Sequence, residues 1–243
     1  MHRFLIDPDA ISNNIAPLDA NEAQHALKVL RLYDGSPVEA MDGRGSAWRG
    51  VLRISGGNPA IELGQKLSST DAPLSLTVYL GLPKGEKLEF VAQKLCEIGA
   101  KKLVPVRMER CVAKIAPSEA EKKLSRPRRI ALEAQKQSGR QSALEICDPI
   151  DTGALAGLIS SHERAFLLWE NARNRRLKDV FEAEPALGDI AAIVGPEGGI
   201  SEKEAMTFAD AGAVCISLGP RILRAETAAI VAAAEILTLW GDL

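Results

Sequence analysis

Two loops rich in glycine and proline contain the residues best suited to ligand chemistry. Residues 195–199 read Gly-Pro-Glu-Gly-Gly, and residues 218–228 read Leu-Gly-Pro-Arg-Ile-Leu-Arg-Ala-Glu-Thr-Ala. Each loop follows an apolar stretch with the character of a buried strand and opens a helix. Glycines let a ligand approach the backbone, and helix N-termini direct free N–H groups toward it. The two loops therefore predict a narrow pocket walled by backbone, suited to a small cofactor with an adenine edge to read.

The first loop excludes two common nucleotide sites. Residues 195–199 match neither G-x-G-x-x-G nor the P-loop, because no Gly-Lys-Ser/Thr follows, so neither a dinucleotide nor a triphosphate is indicated. The alternative is that both loops are only tight connections between strands and helices. Arg221, Arg224 and Glu226 crowd the second loop, and convergent polar groups of this kind favour a ligand pocket.

The elements that must position these loops alternate along the chain. Buried strands are predicted at residues 74–82, 103–106, 144–146, 165–169, 190–194 and 214–218. Helices are predicted at residues 85–98, 118–137 and 152–159, after Ser201, whose spacing from Glu204 is that of a capping box, and at residues 226–240. This alternation is typical of an α/β fold with a parallel sheet covered on both faces. Such sheets bind ligands at the carboxyl ends of their strands, where both loops fall.

The first 68 residues have a different, β-rich pattern. Asp42-Gly43 lies between two alternating segments and indicates a β-hairpin, and a short helix is predicted before it at residues 20–30. Residues 68–73 are polar and close with a proline, as a linker would. We therefore predict two domains: a small β-barrel with one helix at residues 1–70, and the α/β domain at residues 71–243.

Composition narrows the class of protein. The chain has 243 residues, of which 46% are hydrophobic and 26% are charged, as in ordinary globular proteins with a large core. It lacks an uninterrupted apolar run of membrane-spanning length and a basic-then-apolar N-terminal signal, so we expect a cytoplasmic protein. Its four cysteines are far apart and its three histidines do not cluster near them, so neither a metal site nor a disulfide framework is expected.

The net charge of −2 conceals a basic stretch. Between Lys122 and Arg140 there are seven basic residues and one acidic residue, Glu133. A concentrated basic face on a nearly neutral protein fits selective contact with a polyanion. A solvated helix face explains the same stretch about equally well.

The whole pattern resembles the SPOUT-type RNA methyltransferases. Gly-Pro-Glu-Gly-Gly-x-Ser-x-x-Glu, followed by Leu-Gly-x-Arg-Ile-Leu-Arg-x-Glu-Thr-Ala, is similar to the family that methylates N3 of a uridine in bacterial small-subunit (16S) ribosomal RNA. Further motifs extend the resemblance, in order and spacing, along essentially the whole chain: Arg3-Phe4, Val29-Leu30-Arg31, Lys84-Gly85-Glu86-Lys87, Lys94-x-x-Glu97-x-Gly99, Glu109-Arg110-Cys111, Gln137-Ser138-Gly139-Arg140 and Gly241-Asp242-Leu243.

The resemblance implies a fold and a cofactor. It implies a PUA-like RNA-binding barrel at residues 1–70 and, at residues 71–243, a domain knotted as a deep trefoil around S-adenosyl-L-methionine. Threaded chains are rare exceptions to the usual topology rules, so hydrophobic periodicity would not predict one. The cofactor-binding residues that the resemblance implies are Leu168, Asn171, Ile193, Gly195, Pro196, Glu197, Gly198, Gly199, Leu218, Gly219, Pro220, Ile222, Leu223, Arg224 and Thr227.

The resemblance also implies partners. The expected substrate is 16S ribosomal RNA, within the small ribosomal subunit, and the expected RNA-binding residues are Arg3, Arg31, Arg110, Lys114, Gln137 and Arg140. Arg140→Ala is expected to weaken RNA binding and its salt dependence. A homodimer through the C-terminal domain is also implied. The apolar stripe of the final helix fits either that interface or the core.

Methylation at N3 requires an unpaired base and loss of its proton. The catalytic candidates are Arg224 and Arg3, which would stabilise the developing uridine anion, and Glu197, which would accept the proton. Each has a structural alternative: Arg224 paired with Glu226, Arg3 bound to phosphate, and Glu197 orienting loop amides. Two other functions stay open, namely methylation of another RNA, such as a transfer-RNA ribose 2′-hydroxyl, and a non-enzymatic RNA-binding role in ribosome assembly.

Overall fold

The computed structural model describes residues 1–172 and 175–243, which divide into two compact units. The first unit comprises Met1–Asp71 and Gln135–Ala143, and the second comprises Ala72–Ala134 and Leu144–Leu243. The segment Gln135–Ala143 is held in the first unit by polar contacts. Lys136 Nζ lies 2.9 Å from Glu22 Oε1, and Ser142 Oγ donates to Asp71 Oδ2 at 2.6 Å. The first unit is therefore built from two separate stretches of chain.

The first unit contains a five-stranded sheet. Its strands are β1 (His2–Leu5), β2 (Ile15–Pro17), β3 (Pro37–Met41), β4 (Ala47–Ser55) and β5 (Asn58–Lys66), in the order β1-β3-β4-β5-β2. All pairs are antiparallel except β1 with β3. The hairpin predicted around Asp42-Gly43 is confirmed, since β3 and β4 pair on either side of it. Helix α1 (Ala20–Gln24) continues as a π-helical turn at His25–Val29, which confirms the short helix.

The second unit contains a parallel sheet of seven strands. The strands are β6 (Ser75–Gly81), β7 (Lys102–Arg107), β8 (Glu145–Ile146), β9 (Ile150–Asp151), β10 (Arg164–Leu168), β11 (Asp189–Val194) and β12 (Val214–Ile216). Their order is β12-β10-β11-β6-β7-β8, and β9 also pairs with β7. The helices are α2 (Lys87–Ile98), α3 (Ala120–Ser138), α4 (Thr152–Ile159), α5 (Leu177–Ala183), α6 (Glu202–Asp210) and α7 (Ala225–Trp240). The predicted α/β class with a parallel sheet is confirmed.

Helices cover both faces of this sheet because successive strand residues point to opposite sides. Ile190, Ala192 and Val194 of β11 join a core cluster with residues of α2 and α7, whereas Ala191 and Ile193 join a second cluster with residues of α4 and α6. Both faces of the strand are therefore apolar, which explains why its sequence is continuously apolar rather than alternating. The sheet thereby becomes a rigid support for the loops at its carboxyl edge.

Candidate functional site

The site lies where three neighbouring strands end. Leu168 of β10 is in register with Val194 of β11 on one side and with Ile216 of β12 on the other. Because the strands are parallel, the loops that follow them leave the sheet at the same edge. They enclose a cavity of about 540 Å³, within the usual size range of small-molecule sites.

The 195–199 loop is shaped by its own backbone and by the helix that it opens. The N–H of Gly199 donates to the carbonyl of Pro196 at 2.9 Å, and Gly199 has a φ of +74°, a conformation that favours glycine. Ser201 and Glu204 form the predicted capping box at the start of α6. The buried Glu204 carboxylate also accepts from the N–H of Glu109 at 2.8 Å, which ties the loop to the segment after β7.

Gly198 and Gly81 lack a side chain at positions where a neighbouring segment packs directly against their backbone. A Cβ at Gly198 would lie 2.9 Å from the Cβ of Arg110, whose Nη1 donates to the Gly198 carbonyl. A Cβ at Gly81, the last residue of β6, would lie 2.5 Å from both N and Cδ of Pro196. The loop is therefore packed against the ends of the two strands that follow β11 in the sheet order, β6 and β7.

Most of the residues predicted to bind a cofactor line the cavity. The lining includes, from the predicted set, Leu168, Gly195, Pro196, Glu197, Gly198, Gly199, Leu218, Gly219, Pro220, Ile222, Leu223 and Arg224. Asn171 and Thr227 are exposed outside this lining, and Ile193 is fully buried in the core cluster on the α4 and α6 face. The cavity wall therefore consists mainly of loop residues beyond the strands, together with the last residue of each of the three strands and a few residues of α2 and α7.

Among the other lining residues, Lys87 was not predicted, Trp169 and Glu170 lie between the predicted Leu168 and Asn171, and Arg221 was already expected beside a ligand pocket. Trp169 and Glu170 directly follow β10, so the strand-end rule alone points to them. The indole Nε1 of Trp169 is buried and has no hydrogen-bond acceptor among the described residues. A buried donor without a partner costs free energy, so an acceptor on a bound ligand would stabilise this wall. The Glu170 carboxylate lies against Gly199, where an added Cβ would come within 2.8 Å of its Oε1.

One ammonium group joins two carboxylates beside the cavity. Lys87 Nζ lies 3.0 Å from Glu197 Oε1 and 3.2 Å from Glu226 Oε2. The hydrogen bonds to Glu197 and then to Glu226 raise the pKa of Lys87. Partial burial opposes ionisation of Glu197, but hydrogen bonds from the N–H groups of Lys84 and Glu197 and from Lys87 outweigh it and lower the pKa of the carboxyl. Glu197 is therefore an ionised anchor of its loop and a weak proton acceptor.

The expected alternative for Arg224, an ion pair with Glu226, is wrong. Glu226 is paired with Lys87, and Arg224, the N-cap of α7, forms no ion pair within residues 1–172 and 175–243. Its side chain is exposed and lines the cavity. An exposed guanidinium at the mouth of a cavity is placed to meet an anionic group.

Arg3 and Arg140 belong to the first unit and have structural partners there. Arg3 Nε donates to Glu39 at 2.9 Å, and its Nη1 donates to the carbonyls of Lys136 and Gln137 at the end of α3. Arg140 is only 7% exposed and lies 3.9 Å from Asp71. Arg3 thus caps a helix C-terminus while its side chain stays 32% exposed, so its contact with RNA remains a prediction, whereas Arg140 lies inside the unit rather than on an exposed face.

The other predicted RNA-binding side chains are exposed. Arg31 and Gln137 are exposed in the first unit, and Arg110 and Lys114 are exposed in the second. Arg31 has a φ of +54°, which is uncommon for an arginine and indicates a constrained turn.

The basic stretch of α3 is largely compensated by acidic residues. Arg126 pairs with Glu86 and Glu89, and Arg128 pairs with Glu121 and Asp148. Most of these acids come from other elements, so a count along α3 alone overestimates the positive charge of its surface. Lys122 and Arg129 are exposed and form no ion pair within the part of the chain that the structure describes.

Two further observations concern the described residues as a whole. None of their helices is both long and apolar enough to cross a membrane. No three of their His, Cys, Asp or Glu side chains come together as ligands for a metal ion, and the four cysteines are free thiols.

Comparison with known proteins places this site in context. A family model described as an RNA methyltransferase domain matches residues 70–237. Ribosomal RNA small subunit methyltransferase E of Synechocystis sp. is 31% identical over 239 residues, which span 98% of this chain and 78% of that protein.

Two solved structures are similar over the full length. The crystal structure of a ribosomal RNA small subunit methyltransferase E from Neisseria gonorrhoeae bound to S-adenosyl methionine is 31% identical, with a TM-score of 0.89 and coverage of 100% of this chain and 99% of that chain. A putative methyltransferase from Legionella pneumophila, with SAM as bound cofactor, is 27% identical, with a TM-score of 0.87 and the same coverage. This chain therefore belongs to the RNA methyltransferase family that includes ribosomal RNA small subunit methyltransferase E.

Proposed function

We propose that this protein transfers a methyl group from S-adenosyl-L-methionine to N3 of a uridine in 16S ribosomal RNA of the small ribosomal subunit. The observation that carries the proposal is the cavity at the ends of β10, β11 and β12, which is walled by the same glycine loops that give the chain its family resemblance. The names of its relatives, which are small-subunit ribosomal RNA methyltransferases, support the class of substrate.

The residues of the cavity fit this cofactor. Its volume of about 540 Å³ suits a nucleoside with a short charged chain, and its walls are mostly loop backbone. The buried Nε1 of Trp169 offers a donor, and the Glu170 carboxylate offers an acceptor or a negative charge. When bound, S-adenosyl-L-methionine would supply an electrophilic methyl group to N3 of the uridine, which first releases its proton to solvent, and S-adenosyl-L-homocysteine would be the leaving product.

The roles proposed for the side chains follow from their surroundings. Arg224 is exposed and without an acidic partner among the described residues, so we assign to it the stabilisation of negative charge that develops on the uracil ring. Glu197 is ionised and already bound by Lys87 and the N–H of Lys84, so we assign to it the positioning of the loop. Arg110, which touches the same loop through the Gly198 carbonyl, is placed to guide the RNA toward the cavity.

The finer features of the fold belong to the same proposal. We infer that the first unit acts as a PUA-like RNA-binding barrel, with Arg31 and Gln137 among its contacts, and that the second unit holds the trefoil knot. Helix α7 buries Ala229, Ala232, Ala233 and Ile236 in its own unit, whereas Ile230, Val231 and Ala234 keep partial exposure. That second stripe is the surface we propose for a homodimer, and a cytoplasmic location follows from a ribosomal RNA substrate.

The test is transfer of a labelled methyl group onto unmodified small-subunit ribosomal RNA, both free and assembled in subunits, followed by nucleoside analysis. We expect label in 3-methyluridine. Label in a 2′-O-methylated nucleoside would show that the enzyme methylates a ribose hydroxyl and would refute methylation at N3. RNA binding without methyl transfer would indicate a non-enzymatic assembly factor.

Arg224→Ala provides the matching test of the assigned role. We expect kcat to fall by about 10²-fold, since loss of one donor to a developing anion costs roughly that much. Cofactor affinity measured by calorimetry should stay within about threefold, because Arg224 lies at the mouth of the cavity. A variant with wild-type kcat would remove Arg224 from the mechanism.

A further inference from the structure

The Lys84-Gly85-Glu86-Lys87 motif is explained by the position of its last residue. Lys87 is the first residue of α2, which follows β6, and β6 pairs with β11 in the sheet. Its ammonium group lies 3.0 Å from Glu197 in the loop after β11 and 3.2 Å from Glu226 in the first turn of α7. One side chain thus connects three elements that are far apart in the sequence.

Within the described residues, both carboxylates use the same cation for ion pairing. Among the residues that the structure describes, Lys87 is the only cation in an ion pair with Glu197 or with Glu226. The side chains of these acids are 26% and 13% exposed, so water compensates their charge only partly. Without the Lys87 ammonium between them, the carboxylates of Glu197 and Glu226 would repel each other. Because both are partly buried, water would screen this repulsion only weakly.

We propose that Lys87 is a positioning residue of the methyl-donor pocket, which holds the 195–199 loop and the start of α7 together and keeps Glu226 from pairing with Arg224. The inference rests on the proposed function in taking the cavity as the cofactor site. Arg224 and Glu226 are two residues apart, and Lys87 is the ion-pair partner that Glu226 has in place of Arg224. Lys87 would therefore act on the substrate through Arg224 and on the cofactor through the loop.

The experiment compares Lys87→Met with Lys94→Met. Methionine keeps an apolar stem of similar length but removes the charge. Lys94 is a matched control, because it lies on the same helix, pairs with Glu97 at 2.8 Å and is 34% exposed against 31% for Lys87. Two measurements are made on each protein: amide hydrogen exchange without ligand, and calorimetric affinity for S-adenosyl-L-methionine.

We expect Lys87→Met to accelerate exchange in residues 195–201 and 224–228 and to weaken cofactor affinity by about tenfold, whereas Lys94→Met should change neither. Lys87→Arg should recover most of the affinity, because it restores the cation. Adding Glu226→Gln to Lys87→Met should also recover part of it, because it removes one unpaired carboxylate.

The outcomes separate this proposal from the proposed function. Unchanged exchange together with an affinity within twofold of wild type in Lys87→Met overturns the positioning role, as does an equal effect in Lys94→Met. Faster exchange in Lys87→Met, in a protein whose wild type does not bind S-adenosyl-L-methionine, supports the bridge while refuting the cofactor.

Discussion

Gly81→Ala tests whether the cavity depends on close packing between the end of β6 and the loop after β11. An added Cβ would lie 2.5 Å from N and Cδ of Pro196, whereas carbon atoms pack at about 3.5 Å. One of the two segments must therefore move by about 1 Å. Because β6 is paired on both sides, with β11 and β7, we expect the 195–199 loop to move.

The expected loss follows from that displacement. Inserting a methyl group into a close-packed contact costs about 1–3 kcal/mol, and about 1.4 kcal/mol borne by the loop corresponds to a tenfold loss of affinity. We expect S-adenosyl-L-methionine to bind about tenfold more weakly in calorimetry. Methyl transfer should fall further, by about 10²-fold, since a misplacement of 1 Å at a reacting centre costs roughly that factor.

Gly157→Ala is the control for Gly81→Ala. Gly157 lies in α4 with no atom within 4 Å of an added Cβ, so alanine should stabilise the helix by about 0.5–1 kcal/mol and leave affinity unchanged. A folded Gly81→Ala protein with wild-type affinity for the cofactor would refute the reasoning, because the loop would then have kept its position despite the added atom.

Three further substitutions test the charged residues. The lowered pKa of folded Glu197 means that its stabilisation is complete above its ordinary value of 4.5 and is lost as the pH falls through the lower folded value. The difference in urea unfolding midpoint between wild type and Glu197→Gln should therefore shrink as the pH falls below 4.5, and a difference that stays constant there would contradict this account. Arg140→Ala should lower the free energy of unfolding, measured in urea, by about 3 kcal/mol, because it removes the guanidinium beside the partly buried Asp71 carboxylate. The dependence of RNA affinity on salt concentration should stay unchanged, because Arg140 is buried. Arg31 is exposed, and its replacement by alanine should lower the slope of log affinity for RNA against log salt concentration by about 0.7–0.9. A lower slope for Arg140→Ala together with an unchanged slope for the Arg31 variant would indicate that Arg140, and not Arg31, contacts RNA.

Local patterns in the sequence were sufficient to predict the parallel sheet and most of the loop residues that line the cavity at its carboxyl edge. Strands buried on both faces read as apolar runs, and helix α4 occurs at Thr152–Ile159, as predicted. The capping box of Ser201 and Glu204 needs only residues three apart, so it is also visible in the sequence. The elements that were missed are mostly short, such as β9 with two residues and α5 with seven, and carry too few residues for a periodic signal.

Charge partners could not be predicted in the same way, because they depend on which elements become neighbours. The bridge from Lys87 to Glu197 exists because β6 lies beside β11, although the two residues are separated by more than a hundred positions. The positive charge of α3 is partly compensated for the same reason, since Arg126 meets Glu86 and Arg128 meets Asp148. Arg140 likewise lies 3.9 Å from Asp71, which comes from the other stretch of the first unit.

The return of Gln135–Ala143 to the first unit limits how this protein can be divided or recombined. A fragment that ends at residue 71 would lack the α3 carbonyls that receive Arg3, the ammonium of Lys136 that neutralises Glu22, and the hydroxyl of Ser142 that binds Asp71. A chimaera that joins residues 1–71 of one relative to the remaining chain of another would therefore take the two members of each of these pairs from different proteins. Besides the junction at residue 71, the first unit therefore has two more junctions with the rest of the chain, one on each side of Gln135–Ala143, and an exchange of the whole unit must include both.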